Sequence, residues 1–391
     1  MKVVRSTEHR LSSANLGKSS RYSDFCSDYK RLLAFYVDYF WNTRIEYGKG
    51  RVLDVKNEEL SVPKMYNYNN IEIPFHSPLS ARAKSCCLDQ ALGMISASLE
   101  KQKKRQYHLD NTQTRRKYEQ VGFTKPCTDN ANIELRSLCA SVVVKEGSTR
   151  SFQWNLVLKS LGEGYGKIII PVKNHKRSRY WIKNDFKMLG SFLLTTDSVQ
   201  IRWEKEINEK TEGDVIGADQ GMKDTMTFSN GITTPKVDKQ GKTVEGLMKK
   251  LSRKRKGSKA FTKARIELDN FIHWQFNELQ RNKVFDRVKT INLEKVWNIR
   301  FKQNTSRLMS HWSNPVIVDK LKSLCEISGV HVHEEGSAYM SQRCSGCGMV
   351  RKANRKGKVY KCKNCGMEMD ADLNAAINHT CNLPPIDWKF R

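Results

Sequence analysis

Acidic residues are in short supply in this chain. Asp and Glu number 41 against 69 Lys and Arg over 391 residues, so the formal net charge is +28. A surface of that sign draws polyanions, and nucleic acid is the first candidate. The chain also lacks any run of about 18 consecutive apolar residues, so no membrane span is expected. No long amphipathic or apolar segment accompanies the basic runs, which speaks against a membrane-surface role. The opening MKVVRSTEHRLSS has no apolar core and no small-residue cleavage site, so a secretory signal is not expected there. No internal repeat is visible. The expectation is a cytoplasmic, nucleoid-associated protein in reducing conditions. Its 11 cysteines should then be thiols or metal ligands and not disulfides.

The positive charge is concentrated in runs: KQKKR at 101–105, RRK at 115–117 and KKLSRKRKGSK at 249–259. Residues 20–125 read mostly as helix. Leu32, Leu33, Phe35, Tyr36, Tyr39 and Phe40 recur at helical spacing over 28–45, a turn-rich stretch fills 61–78, and a second helical run over 80–118 becomes strongly basic. Residues 130–207 change to short β-branched runs at 141–144, 153–160, 167–172 and 192–203, separated by Gly-rich turns. That pattern predicts a small antiparallel sheet or barrel, with the opening 15 residues as one more strand and the helical lobe inserted between. From Gly213 onward strand and helix alternate: strands at 214–221, 224–231, 288–296 and 330–336, a basic helix over 246–265, a long helix marked by Ala264, Leu268, Phe271, Ile272, Phe276 and Leu279, and a helix over 315–329. This is α/β organisation.

Four cysteines form two Cys-x-x-Cys pairs, Cys344 with Cys347 and Cys362 with Cys365, with 14 residues between the pairs. Gly348 and Gly366 follow the knuckles. The two-residue gap lets both sulfurs of a pair point at one ion, and four thiolates suit tetrahedral Zn²⁺ with no open position. A structural zinc site is therefore expected, and the zinc is not the catalyst. The loop joining the pairs is basic, with Arg351, Lys352, Arg355, Lys356 and Lys358. The scattered Cys26, Cys86, Cys87, Cys127, Cys139, Cys325 and Cys381 are expected to be buried thiols.

Three carboxylates stand at informative places. Asp219 ends the apolar segment that starts at Val215, Glu294 ends another after Ile291 and Leu293, and Asp372 opens Asp-Leu-Asn-Ala-Ala, which looks like a helix start. Singly, a strand-end acid is ordinarily a turn residue or solvated, and an Asp before an Ala-rich run is ordinarily an N-cap. Jointly they suit phosphodiester cleavage through two Mg²⁺, which needs hard carboxylate oxygens converging on a pair of ions. Strand ends of one mixed sheet and a neighbouring helix can deliver that geometry. The spacing permits the convergence without requiring it.

In order, Gly-x-Asp-x-Gly at 217–221, LEKV at 293–296, SQRCSGCG at 341–348, CKNCG at 362–366 and DLNAAIN at 372–378 resemble the RuvC-like nuclease half of transposon-encoded TnpB proteins, and compact type V CRISPR effectors look similar. The motif resemblance covers roughly residues 212–379, and the basic segment at 246–265 looks like the one that follows the family's first acidic motif. The N-terminal half matches in order only. The resemblance implies a multidomain α+β protein. Its β-barrel-like wedge domain (1–18 and 129–211) carries an inserted helical recognition lobe (19–128). An RNase-H-like (RuvC) α/β nuclease domain follows (212–339 and 368–391), with an inserted zinc ribbon (340–367) that binds target nucleic acid. It further implies an RNA-guided DNA endonuclease in which Asp219, Glu294 and Asp372 are the catalytic Mg²⁺ ligands, with Asp370 as the fallback for the third acid. The partners implied are a guide RNA and double-stranded target DNA; a second copy of the protein is allowed.

Nucleic-acid contacts are expected first from Lys249, Lys250, Arg253, Lys254, Arg255, Lys256 and Lys259, whose charges repel one another without a polyanion. Arg351 and Lys352 of the ribbon and Lys101, Lys103, Lys104 and Arg105 of the lobe follow. Tyr66, Tyr68, Asn69 and Asn70, with that lobe run, are candidates to read a short motif beside the target. The sequence departs from the family at Ala218, where a bulkier aliphatic residue is commoner, at Gln220, where an apolar one is, at Lys295, where an acid is frequent, and at Met340, where Thr is usual. None of these removes a metal ligand. The length leans toward the transposon type. Two other classes fit the same features: a guided DNA-binding repressor with an inactive site, and a conventional transposase or resolvase-type nuclease that uses no RNA.

Overall fold

The computed structural model describes the chain except for residues 12–15, 48–49, 56–58, 65, 112–123, 145–151, 223, 297–307, 309–310, 337 and 381–391. The fold divides into two units, Val4–Lys205 and Glu206–Arg391 with Met1–Val3.

In the first unit β1 (Lys2–Arg10) leads to α1 (Leu16–Asn42), which buries Phe25, Tyr29, Leu32, Leu33, Tyr36 and Phe40 three or four residues apart. Strands β2 (Ile45–Tyr47), β3 (Arg51–Asp54) and β4 (Glu59–Leu60) form a small antiparallel sheet inside the block read as helical. Strands of two to four residues are too short to show an alternating pattern in sequence. Helix α2 (Ala81–Asn111) packs on α1 through Ala83, Cys87, Ala91, Ile95 and Leu99, a stripe with a period of four. Its apolar stripe ends where the run at 101–105 begins, and Lys101, Lys103 and Lys104 are exposed. The 115–117 run lies outside the described residues.

The β-rich part forms two sheets. Strands β5 (Ile133–Arg136), β9 (Lys187–Leu194) and β10 (Ser198–Glu206) join β1 in the order β1-β10-β9-β5, and β6 (Ala140–Val144), β7 (Trp154–Leu158) and β8 (Ile168–Val172) form an antiparallel trio. The run at 192–203 is two strands and not one. Thr195 turns the chain by accepting the Ser198 amide at 2.8 Å on its hydroxyl, and its own amide donates to the Ser198 carbonyl at 2.9 Å. A short helix α3 (Lys176–Lys183) precedes β9.

In the second unit β11 (Asp214–Asp219), β12 (Thr227–Phe228), β13 (Val288–Lys295) and β14 (His331–Gly336) form a mixed sheet in the order β12-β11-β13-β14. β11, β13 and β14 are parallel and β12 is antiparallel to β11. The basic stretch expected as one helix is two, α4 (Val244–Ser252) and α5 (Lys259–Arg281), so Arg253, Lys254, Arg255 and Lys256 lie in the turn between them. Ser258 ends the break by capping α5, its hydroxyl accepting the Phe261 amide at 3.1 Å. The six apolar residues expected to mark α5 are all buried; with them lies Gln275, which periodicity did not single out. Its amide accepts from Thr225 at 2.9 Å and donates to the Pro235 carbonyl at 2.7 Å. Helix α6 (Asn314–Ser328) carries Pro315 in its first turn and stops at the left-handed Gly329.

The C-terminal part holds a sheet of β15 (Arg355–Lys356), β16 (Val359–Lys361) and β17 (Glu368–Asp370), which runs straight into α7 (Ala371–Ile377). Of the scattered cysteines, Cys127 is exposed, against expectation, with its thiol 3.5 Å from Asp129 Oδ2, while Cys26, Cys86, Cys87, Cys139 and Cys325 are buried. Cys381 lies outside the described residues. Phe276 is fully buried in the core between the sheet and α4–α6. Phe276→Ala is expected to destabilise this unit by about 3–5 kcal/mol, measured as the shift of its urea unfolding transition.

Candidate active site

The parallel register of β11 and β13 sets two of the three carboxylates side by side. Ala218 pairs with Leu293, so Asp219 and Glu294, one residue further along each strand, emerge at the same sheet end. Gln220 locks that end: its amide donates to the Glu294 carbonyl at 3.1 Å and accepts from Asn314 at the start of α6 at 2.8 Å. Gln220, where the resembled family commonly has an apolar residue, therefore has a local role that the sequence did not disclose.

Asp372 comes from the other direction, on the first turn of α7. Asp370 is the N-cap, accepting the amides of Asp372 and Leu373 at 2.9 and 3.0 Å. That role occupies Asp370 and leaves Asp372 to face the sheet. Helix α7 reaches β11 because residue 217 is glycine. A Cβ there would lie 1.9 Å from the Ala376 carbonyl oxygen. Asn292 on β13 adds a buried hydrogen bond to the His379 carbonyl at 2.8 Å. The result is one cleft of about 430 Å³ lined by Asp219, Gln220, Gly221, Met222, Glu294, Val296, Trp312, Ser341, Arg355, Gly357, Lys358 and Asp372.

Asp219 and Asp372 are 9% and 5% exposed. Burial, then the neighbouring charges of Glu294 and Asp372, push the Asp219 carboxyl up to about 8. Burial also raises Glu294, against the hydrogen bond it shares with Asp219. Three acids forced together this way form a cluster short of positive charge. Part of that charge comes from the ribbon. Arg355 donates to Asp372 Oδ1 at 2.7 Å, and Lys358 bonds Asp372 Oδ2. Sequence reasoning placed both only in a basic loop; the four-residue spacing to the knuckle at Cys362 could have marked Lys358 as a hairpin residue and nothing more.

The ribbon itself is built from two knuckles of the same design. In each the first cysteine's amide donates to the carbonyl five residues on, Cys344 to Met349 and Cys362 to Met367, both at 2.8 Å. In each the carbonyl of that cysteine accepts from a left-handed glycine, Gly348 at 2.9 Å and Gly366 at 3.1 Å. The sulfurs of Cys344, Cys347, Cys362 and Cys365 all lie within 4.8 Å of one another, a cluster compatible with a zinc ribbon. The first knuckle is tied to α7. Asn374 donates to the Arg343 carbonyl at 2.8 Å and accepts the Ser345 amide at 3.1 Å, and Asn378 donates to the carbonyls of Met340 and Arg343, both at 2.8 Å.

The remaining expected contact residues are not drawn into the cleft lining. Lys249, Lys250, Arg253, Lys254, Arg255, Lys256 and Lys259 are exposed along the ends of α4 and α5 and the turn between them. Two of them have acidic partners, Lys249 with Glu245 at 2.7 Å and Lys250 with Glu267 at 2.6 Å. Arg351 and Lys352 are exposed on the ribbon. Lys101, Lys103, Lys104 and Arg105 lie on α2 of the other unit, where Lys103 pairs with Glu100 at 3.1 Å. Of the 66–70 loop, Asn69 and Asn70 are exposed, whereas Tyr66 packs edge-on against Phe40 at 5.7 Å between ring centroids. Among the described residues no helix is long and apolar enough to cross a membrane.

The profile of the Cas12f1-like TNB domain matches residues 316–379, the span from α6 through the ribbon to α7. Two curated relatives are both named CRISPR-associated endodeoxyribonuclease Cas12f1. The one from Sulfoacidibacillus thermotolerans is 38% identical over 99 residues, 25% of this chain and 22% of that protein. The one from Syntrophomonas palmitatica is 28% identical over 99 residues, 25% of this chain and 20% of that protein. The match thus spans about a fifth of either relative's length. The solved structure of the mini-RNA-guided endonuclease CRISPR-Cas phi3 superposes with a TM-score of 0.53 at 9% identity, covering 97% of this chain and 92% of that one. At that identity the likeness concerns the fold, a mixed α/β arrangement in several parts. The resemblance to compact type V nucleases drawn from the motifs is borne out by these matches. Gly217→Ala is expected to cost about 3 kcal/mol or more by driving α7 off β11, read as a lowered urea midpoint of the unit.

Proposed function

We propose that this chain is an RNA-guided DNA endonuclease that hydrolyses target phosphodiesters with Mg²⁺ held in an RNase-H-like (RuvC-type) unit. The observation that carries the reading is the convergence of Asp219, Glu294 and Asp372, from two parallel strands and a helix far apart in sequence, in one open cleft. The donor set fits the ion: all-oxygen, carboxylate, with Asp219 and Asp372 buried and Glu294 half-buried, and so crowded that Asp219 resists ionisation without added positive charge. Mg²⁺ bound there supplies Lewis-acid stabilisation of the phosphoryl oxygens and an activated water.

The chain's own residues do the positioning. Asp219, Glu294 and Asp372 hold the ions. Gln220 fixes the spacing of the two strand ends, and Asp370 holds the first turn of α7 so that Asp372 faces inward. Arg355, whose guanidinium lines the cleft, offers a planar cation to a phosphate of the strand being cut. The four cysteines hold one structural Zn²⁺ that keeps the hairpin carrying Arg355 rigid. The exposed turn at 253–256 and the end of α2 give guide RNA and target DNA a run of cations. The first unit serves as the wedge and recognition lobe, and base pairing with the guide reads the target. Both curated relatives are named as CRISPR-associated, which favours a compact type V effector over a transposon protein. Sequencing of RNA that co-purifies with the chain separates these: repeat-derived guides mark the effector, transposon-end transcripts the other. RNA-free protein that still cuts would remove guidance from the reading.

Asp219→Ala and Glu294→Ala are each expected to bring Mg²⁺-dependent cleavage of a guide-matched duplex to background while target binding in a mobility-shift assay is kept. Binding with no cutting by the native chain would make it a guided repressor. Cys362→Ser is expected to lower bound zinc from one equivalent toward zero by metal analysis; an unchanged content removes the four-cysteine site.

A further inference from the structure

Lys358 bonds two carboxylates at once. One is Asp372 Oδ2, in the cluster; the other is Asp224 Oδ2, in the loop between β11 and β12. Asp224 belongs to no motif singled out in the sequence, yet it is only 5% exposed. Its other oxygen takes the ammonium of Lys236 at 2.9 Å. Burial opposes its ionisation, but the hydrogen bond from Lys358 and the ammonium of Lys236 beside it outweigh that and hold its carboxyl below the usual range. It is thus a standing anion beside the cleft. Residue 221 keeps the loop close: a Cβ on Gly221 would lie 2.6 Å from the Asp224 carbonyl oxygen and 3.7 Å from Asp372 Oδ2. Lys358 follows Gly357, a left-handed glycine at the tip of the β15–β16 hairpin, and its side chain is 40% exposed.

An ammonium and a divalent cation cannot both take Asp372 Oδ2 at close range, because like charges repel strongly where water is scarce. A lysine with no second partner would have to be driven into solvent to make room. Asp224 removes that requirement, since Lys358 can leave Asp372 and keep one complete ion pair. Resting on the metal-site reading above, we propose that Lys358 is the resident counter-cation of the carboxylate cluster, displaced from Asp372 when a divalent ion binds. Asp224 is the positioning residue that retains the displaced ammonium. Metal occupancy is thereby coupled to the setting of the ribbon hairpin.

The test is Mn²⁺ binding by the full chain without nucleic acid, read from the free-ion electron paramagnetic resonance signal. The site-specific part is what Glu294→Gln removes. Lys358→Gln is expected to tighten that binding by about fivefold, the size of a half-exposed ion pair, and Asp224→Asn to weaken it by about fivefold. In the double variant the Asp224 effect disappears, because no ammonium is left to retain. Lys356→Gln, which removes an equal charge from the exposed neighbour on the same hairpin, leaves affinity unchanged, and Lys358→Arg stays close to wild type. Unchanged affinity in Lys358→Gln, or an equal gain in Lys356→Gln, overturns the proposal. An Asp224→Asn loss that persists in full beside Lys358→Gln is a through-space charge effect and overturns the retaining role. Glu294→Gln that binds Mn²⁺ like wild type overturns the metal site itself, a separate result. Wild-type zinc content and thermal melting in each variant establish that the fold is intact.

Discussion

The carbonyl of Ala376 lies where a side chain at position 217 would have to be, so α7 can rest on β11 only over a bare backbone. The cleft depends on that contact. Without it Asp372 stays away from the sheet, and Asp219 and Glu294 remain two neighbouring strand ends with no third acid. Two further ties hold the helix in place. Asn292 reaches from β13 to the His379 carbonyl, and Asn374 and Asn378 bind the backbone beside the first cysteine knuckle. Each buried amide here has backbone partners, which is what makes a polar contact specify one arrangement.

The same ties set the four-cysteine cluster beside the acidic cleft. β17 passes directly into α7, so any movement of the ribbon would be felt at Asp372. Four sulfurs gathered within 4.8 Å are compatible with a zinc ion, which would rigidify a hairpin whose own core is small. The ribbon returns charge as well as geometry. Arg355 and Lys358 project into the cleft and offset three crowded carboxylates. Position and neutralisation thus reach Asp372 through one hairpin.

Electrostatics divides the chain's positive charge into two kinds. Arg355 and Lys358 are half-buried and bound to named acids, so their work is local. The turn at 253–256 is exposed, in keeping with a surface for polyanions. A net charge of +28 described both kinds together and could not separate them.

Periodicity and spacing were enough for the elements that run long. The apolar faces of α1, α2 and α5, the strands at 214–219 and 288–295, and the cysteine pairs are all local patterns that a linear reading detects. The family resemblance ranked Asp372 above Asp370; that Asp370 is taken up as the cap of α7 is visible only in three dimensions. What the sequence could not carry was anything set by contacts between distant segments. The register that puts Asp219 beside Glu294, the glycine that admits α7, the bridge made by Gln220 and the pairing of Lys358 with Asp224 join residues that stand tens of positions apart or more. The break at 253–258 is a local matter that helix propensity alone concealed, since Lys and Arg favour helix wherever packing does not decide. The sequence by itself determined which residues could hold metals; the tertiary structure decided which of them meet, because convergence is a property of strand register and helix approach, and neither is written in any single stretch of chain.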